Sequence, residues 1–217
     1  MKDETKVKNE KKEKKKRVAL QFIFLLGIVS LFGDITYEGA RSVAGPYLPS
    51  LGASALAVGL VGGIGEFLGY ALRLVSGFIA DRTKAYWPLT IIGYGLLCAI
   101  PLMAITNNWA LAALFLILER AGKGIRAPAR DAILSHATKQ VGRGLGFGIH
   151  EAIDQIGAVI GPLIFSAVAF SRGGYREGFM ILSIPPAHHT DPYFGSFLQS
   201  LSCYYQHGSM GCGNGHS

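Results

Sequence analysis

Ionisable residues stand inside stretches otherwise apolar enough for a lipid bilayer, and their spacing sorts them onto faces. Asp34, Glu38 and Arg41 follow i, i+4, i+7 and share one helical face. Glu66 and Arg73 are seven apart, on a face that also holds Gly62 and Gly69. Glu119 and Arg120 are adjacent, and Glu151 and Asp154 lie within "GFGIHEAIDQIGAVIGPLIF", residues 146–165. A charged side chain at mid-bilayer costs on the order of 2.5–3.5 kcal/mol, so such groups pair, face a polar interior, or carry ions and protons.

Depth sorts them further, at about 1.5 Å per helical residue. Arg120 is about eleven residues from the outer start of its helix, and Asp154 about ten from the inner start of the next. The two come level, which predicts an Arg120–Asp154 or Arg120–Glu151 ion pair, and a transport role stands open beside it. Glu66 is near mid-depth, and its nearest same-helix cation is Arg73, about two turns away. It is the expected proton-carrying carboxylate. Glu38 and Arg41 lie near the outer boundary, where a simple salt bridge is expected.

Enzyme chemistry has less support. "HEAID" (150–154) is one residue from the H-E-x-x-H zinc motif, but Asp154 stands where the second His would be, and no distal ligand motif follows. Four of the six His and two of the three Cys crowd into the last 32 residues without CxxC or HxxxH spacing. No catalytic residue, metal or cofactor is expected.

The elements that must hold these groups are helices. Half of the 217 residues are hydrophobic, 16% are charged, and 29 are Gly. A bilayer core needs about 20 apolar residues per helix, and glycine suits close packing between such helices. Five complete spans and a partial sixth fit, so the class is all-α and polytopic. They run from Val18 toward Pro46, over about 56–80, from Pro88 to about Thr106, from Trp109 to about Ala127, over about 144–170, and from near Gly178. A basic loop, "RDAILSHATKQVGRG", is expected between the fourth and fifth.

Charge placement sets the topology. Nine of the 21 Lys/Arg fall in residues 1–17, a run expected to be a disordered, basic cytoplasmic tail. With the N-terminus inside, the inner segments hold sixteen Lys/Arg and the outer loops two. That agrees with the positive-inside rule, and the expected site is the plasma membrane with a cytoplasmic N-terminus. The surplus of +7 is thus a topology signal, and nucleic acid is not an expected partner. From about residue 186 the apolar pattern stops where the sixth helix needs more of it. Residues 186–217 read as out of register with the gene, by frameshift or truncation.

Three motifs now give a likeness. "GFIADRTK" (Gly77, Asp81, Arg82 and Lys84 within it) resembles the G-x-L-A-D-R-x-G-R-[RK] loop of major facilitator superfamily transporters, with Lys84 in place of Gly. "RAGKGIR" (Arg120–Arg126) is similar to the family's R-x-x-Q-G-x-G, with Lys123 for Gln. Gly148, Gly157, Gly161 and Pro162 reproduce G-x8-G-x3-G-P, which that family associates with antiporters; Phe165 and Ser166 replace its trailing glycines. The chain therefore resembles the N-terminal six-helix half of such a transporter, over roughly residues 18–185. The resemblance implies a secondary transporter, a proton-coupled exporter (antiporter) of a small molecule in a lipid bilayer, with 77–84 as a gating loop. An importer or facilitator of the same superfamily, and a non-functional fragment, remain open; an intramembrane metalloprotease is the remote alternative.

Overall fold

The computed structural model describes residues 2–172 and 174–182. The segment from about 186, with its His/Cys cluster and its expected loss of register, lies outside the described residues. The elements are α1 (Lys2–Ser50), α2 (Ala55–Thr83), α3 (Tyr86–Gly95), a 3-10 turn (Leu96–Cys98), α4 (Ala99–Met103), α5 (Trp109–Thr138), α6 (Arg143–Arg172) and α7 (Tyr175–Ile181). Among the described residues there is no strand. Four stretches, Thr5–Ser50, Ala55–Thr83, Tyr86–Met103 and Arg143–Ser171, are long and apolar enough to cross a membrane. At 30 residues α5 has the length to cross, but it carries too many charges to qualify by composition.

Local chemistry explains the boundaries. Ser54 caps α2 by accepting from the Ala57 amide at 3.2 Å, and Asn108 caps α5 by accepting from the Ala110 amide at 2.8 Å. Pro101 has no N–H to offer the Leu97 carbonyl, and the third span tightens to 3-10 over Leu96–Cys98 just before it. Lys84 ends α2 in the left-handed region at φ 58°, its amide donating to the Ala80 carbonyl at 2.8 Å.

Two expectations are corrected. The basic run expected to be disordered continues α1 as helix from Lys2, with its described side chains exposed. Lys and Glu are good helix formers, and Glu10 precedes Lys14 at the favourable i, i+4 spacing. The loop expected after Ala127 is helix through Thr138, which leaves only 139–142 as the connection.

Packing places α1 against α6, and α5 against α2, α3 and α1. Apolar clusters close the two ends. One joins Phe22, Ile23 and Leu26 of α1 to Ile133, Leu134 and Ala137 of α5. The other gathers Tyr47, Leu48, Met103, Leu116, Phe165 and Phe179, with the Tyr47 hydroxyl donating to the Met103 carbonyl at 2.8 Å. Between them lie residues 30–41 of α1 and 119–130 of α5, where the charges are.

Candidate functional site

Helix α5 is the axis of this charged layer. Its 30 residues repeat Lys123, Arg126 and Arg130 at i, i+3, i+7, which puts all three on one face. The face meets the Asp34–Glu38–Arg41 face of α1. Arg126, 1% exposed, donates to Asp34 at 2.9 Å and lies over the Tyr94 ring, 4.7 Å from its centroid. Lys123 donates to Glu38 at 3.1 Å, stands 3.8 Å from Asp34, and caps the Tyr37 ring at 3.7 Å. Arg130 donates to Asp154 of α6 at 3.0 Å and to the Ser30 hydroxyl at 2.8 Å, and reaches Asp131 at 3.2 Å. Ser30 in turn shares a hydrogen bond with the Tyr94 hydroxyl at 3.2 Å.

Toward α2 the network continues. Arg41 bridges Glu38 at 3.7 Å and Glu66 at 3.2 Å. Arg120 stands 3.6 Å from Glu66 and donates to the Gly62 carbonyl at 2.8 Å. Close approach makes this possible: a Cβ on Gly65 would meet the Arg120 side chain at 2.8 Å, and Gly124 lies directly on the Gly69 carbonyl. Acids of α1, α2 and α6 are thus tied to cations that come mostly from α5.

Cavities open on this layer, two of them bordered by Lys123. One, of about 160 Å³, is lined by Tyr37, Arg41, Glu66, Tyr70, Arg73 and Arg120 among others. The second, of about 190 Å³, is lined by Asp34, Glu38, Arg73, Arg130, Glu151 and Asp154 among others. Lys123 and Arg73 border both. Arg73 is exposed and makes no ion pair among the described residues.

The expected site residues are therefore in one region, but not in the expected pairs. Arg120 turns to Glu66 of α2, and Asp154 takes Arg130. Glu151 is exposed and accepts from its helix neighbour Gln155 at 2.9 Å. The reason is register: α5 runs one long turn series past Ala127, so Arg130 is the cation level with Asp154. Glu66 is not the solitary carboxylate expected, since two arginines reach it. Glu119, fully buried, is among the described residues a carboxylate with neither oxygen hydrogen-bonded. Lys123, Arg126 and Arg130, which are among the sixteen Lys/Arg of the inner segments, face the bundle, and their i, i+3, i+7 spacing is the signal for it.

Of the glycine motif, Gly157 and Gly161 lie against α1. A Cβ at Gly157 would stand 2.5 Å from the Leu31 carbonyl oxygen, and Gly161 sits directly on the Ile35 carbonyl, with the Gly39 amide at 3.0 Å. Pro162 lies inside α6 one residue on. Gly148 meets nothing within 4 Å, while Gly146 is pressed against Thr138. In the 77–84 segment Gly77 approaches Pro128 of α5, Asp81 is exposed, and Arg82 lies over the Phe78 ring at 4.8 Å. His150, of the zinc-like "HEAID", is buried while Asp154 is held by Arg130. Among the described residues no three His, Cys, Asp or Glu side chains converge as metal ligands.

Comparison with known proteins identifies the family of the chain. The family model described as Major Facilitator Superfamily matches residues 19–187. An uncharacterised protein of Mycobacterium tuberculosis is 46% identical over 169 residues, 77% of this chain and 41% of the relative. An uncharacterised MFS-type transporter of Methanocaldococcus jannaschii is 34% identical over 143 residues, 65% of this chain and 36% of that protein. The multidrug resistance protein MdtH of Photorhabdus laumondii is 36% identical over 123 residues, 55% of this chain and 30% of that protein. The chain thus spans about two fifths or less of the length of these relatives. No solved structure matches.

Proposed function

The chain belongs to the Major Facilitator Superfamily, a family of multi-pass membrane transporters, and on that premise we propose that it forms the N-terminal transmembrane half of a proton-coupled exporter of a small molecule. The observation that carries the reading is the ion-paired layer between two apolar ends, bordered by cavities and fed by four helices. Charges so deep in a span are costly unless paired, and in transporters they mark substrate and proton paths. Export is supported by the antiporter-type glycines of α6 and by the similarity to the multidrug resistance protein MdtH. The proposed pathway groups are Asp34, Glu38, Arg41, Glu66, Arg73, Arg120, Glu151 and Asp154, now joined by Lys123, Arg126 and Arg130. Residues Gly77, Asp81, Arg82 and Lys84 are the proposed gating segment. The proposed location is the plasma membrane, with the N-terminus cytoplasmic and small solutes and protons as partners.

The test joins this chain to the remaining part of the 46%-identical relative and reconstitutes the chimera in vesicles with an imposed pH gradient. A panel of small organic molecules is then added. Compounds that the chimera moves should dissipate the gradient. Movement with the gradient untouched removes proton coupling, and no movement of any compound removes the transport reading.

A further inference from the structure

Glu119 is 0% exposed on α5, and neither carboxyl oxygen has a hydrogen-bond partner. The cations that follow it on its own helix hold other groups, and of their nitrogens Arg126 Nη1 is buried without a partner. Arg120 holds Glu66 and the Gly62 carbonyl, Lys123 holds Glu38 and the Tyr37 face, and Arg126 holds Asp34 beneath the Tyr94 ring. Of the elements packed on α5, α1 brings Asp34, Tyr37, Glu38 and Arg41 to this region and α2 brings Glu66. Helix α3 and its 3-10 turn carry Tyr94 and Cys98, and α4 has no ionisable residue. Of the ionisable groups of α6, His150 and Asp154 gather around Arg130, Glu151 is exposed, and Arg143 and Arg172 stand at its ends. An ionised carboxylate stripped of water and donors neutralises rather than bear the lost solvation.

We propose that Glu119 is held as a neutral carboxylic acid and is the proton-binding group of this bundle, competing with Glu38 for the ammonium of Lys123. The proposal rests on the proton-coupled reading above and names the group that does the coupling. Lys123 follows Glu119 by four residues, the favourable Glu-to-Lys order on a helix. When the O–H bond of Glu119 breaks, the proton leaves to solvent by way of the cavity lined by its helix neighbours Arg120 and Lys123, and a carboxylate remains. That carboxylate draws Lys123 away from Glu38 and releases one tie between α5 and α1, while Arg126 keeps Asp34. Rebinding a proton neutralises Glu119 and returns Lys123 to α1. One proton thus decides which helix Lys123 serves.

The test is infrared spectroscopy of this chain in lipid nanodiscs at neutral pH. An undissociated carboxylic acid has a carbonyl stretch well separated from carboxylate bands, and it shifts on exchange into D2O. The band should be present in the unmodified chain and lost in Glu119→Gln, which keeps shape and polarity. In Glu38→Gln the freed Lys123 should turn to Glu119, and the band should vanish at the same pH. No acid band in the unmodified chain overturns the proposal whatever the variants do. A band that survives Glu119→Gln overturns the assignment, and one that survives Glu38→Gln overturns the competition. The measurement needs no transport. An acid band without proton flux in the chimera removes the coupling reading alone, and proton flux without the band removes this proposal alone.

Discussion

Burial separates the ion pairs of the charged layer by what each contributes. In the Arg126–Asp34 pair the side chains are 1% and 9% exposed, whereas in Arg41–Glu66 they are 47% and 39% exposed. Breaking a buried pair by removing one partner leaves an uncompensated charge and costs about 3–5 kcal/mol. Asp34→Asn should therefore lower folded yield and thermal stability by that order, and Asp34→Asn combined with Arg126→Gln should recover part of the loss. An equal loss in the double variant would mean the pair does not matter as a pair. Exposed pairs contribute about 0–1 kcal/mol, and the less exposed Arg120 keeps the Gly62 carbonyl when Glu66 is lost, so Glu66→Gln should lower thermal stability by less than Asp34→Asn. A loss comparable to that of Asp34→Asn would place Glu66 in the structural core of the layer. The presence of these charges in the interior was legible from their helical spacing. Their partners were not, because a pair depends on which helices adjoin. Arg120 goes to α2 since Gly65 leaves room for its side chain, a fact about two helices that neither segment states alone.

At the scale of the element, glycines separate into those that another backbone touches and those that nothing touches. Gly161 rests on the Ile35 carbonyl and Gly157 on that of Leu31, so a methyl at either would push α6 off α1. Gly148 has open space around it. Gly161→Ala should destabilise the chain clearly, while Gly148→Ala should be neutral or gain up to about 1 kcal/mol of helix propensity. Equal effects in thermal unfolding would contradict the packing. The motif spacing was legible as a small-residue face, but its first glycine lies on the exposed face of α6. Lys84 offers the converse case. It occupies φ 58° at the position where the family motif has Gly, and a side chain in that region costs roughly 1–2 kcal/mol. Part of that is offset by the greater freedom of an unfolded glycine. Lys84→Gly should raise thermal stability by up to about 1 kcal/mol, and a decrease would show that the Lys84 side chain contributes more than its backbone strain costs. The helical course of residues 2–17 was missed for another reason. High charge argues against a packed core, yet it does not argue against a helix that continues an existing one and so needs no nucleus.

For the whole molecule, the layered order of apolar end, charged middle and apolar end fixes where water and lipid must lie. Helix α2 shows lipid-compatible side chains outward, with Leu74 78% and Phe67 71% exposed, and the ions turn inward. Sidedness follows from the charges that remain outside the bundle. With Lys123, Arg126 and Arg130 facing inward, the proposed cytoplasmic side still holds the basic start of α1 together with Arg82, Lys84, Lys139 and Arg143. The opposite side holds Arg172 and Arg176. The bias that orients membrane proteins survives the correction. Lys84 and Asn107 are both exposed and flank the third span, Tyr86–Met103. Its 18 residues rise about 27 Å at 1.5 Å each, close to a hydrocarbon core. The two positions should therefore face opposite compartments. In a cysteine-free background, Asn107→Cys should react with a membrane-impermeant thiol reagent applied to intact cells, and Lys84→Cys should react only after the cells are opened. Labelling of both from outside would mean the third span does not cross. The reverse pattern would invert the molecule, placing the basic start of α1 outside and the proposed gating segment on the wrong face.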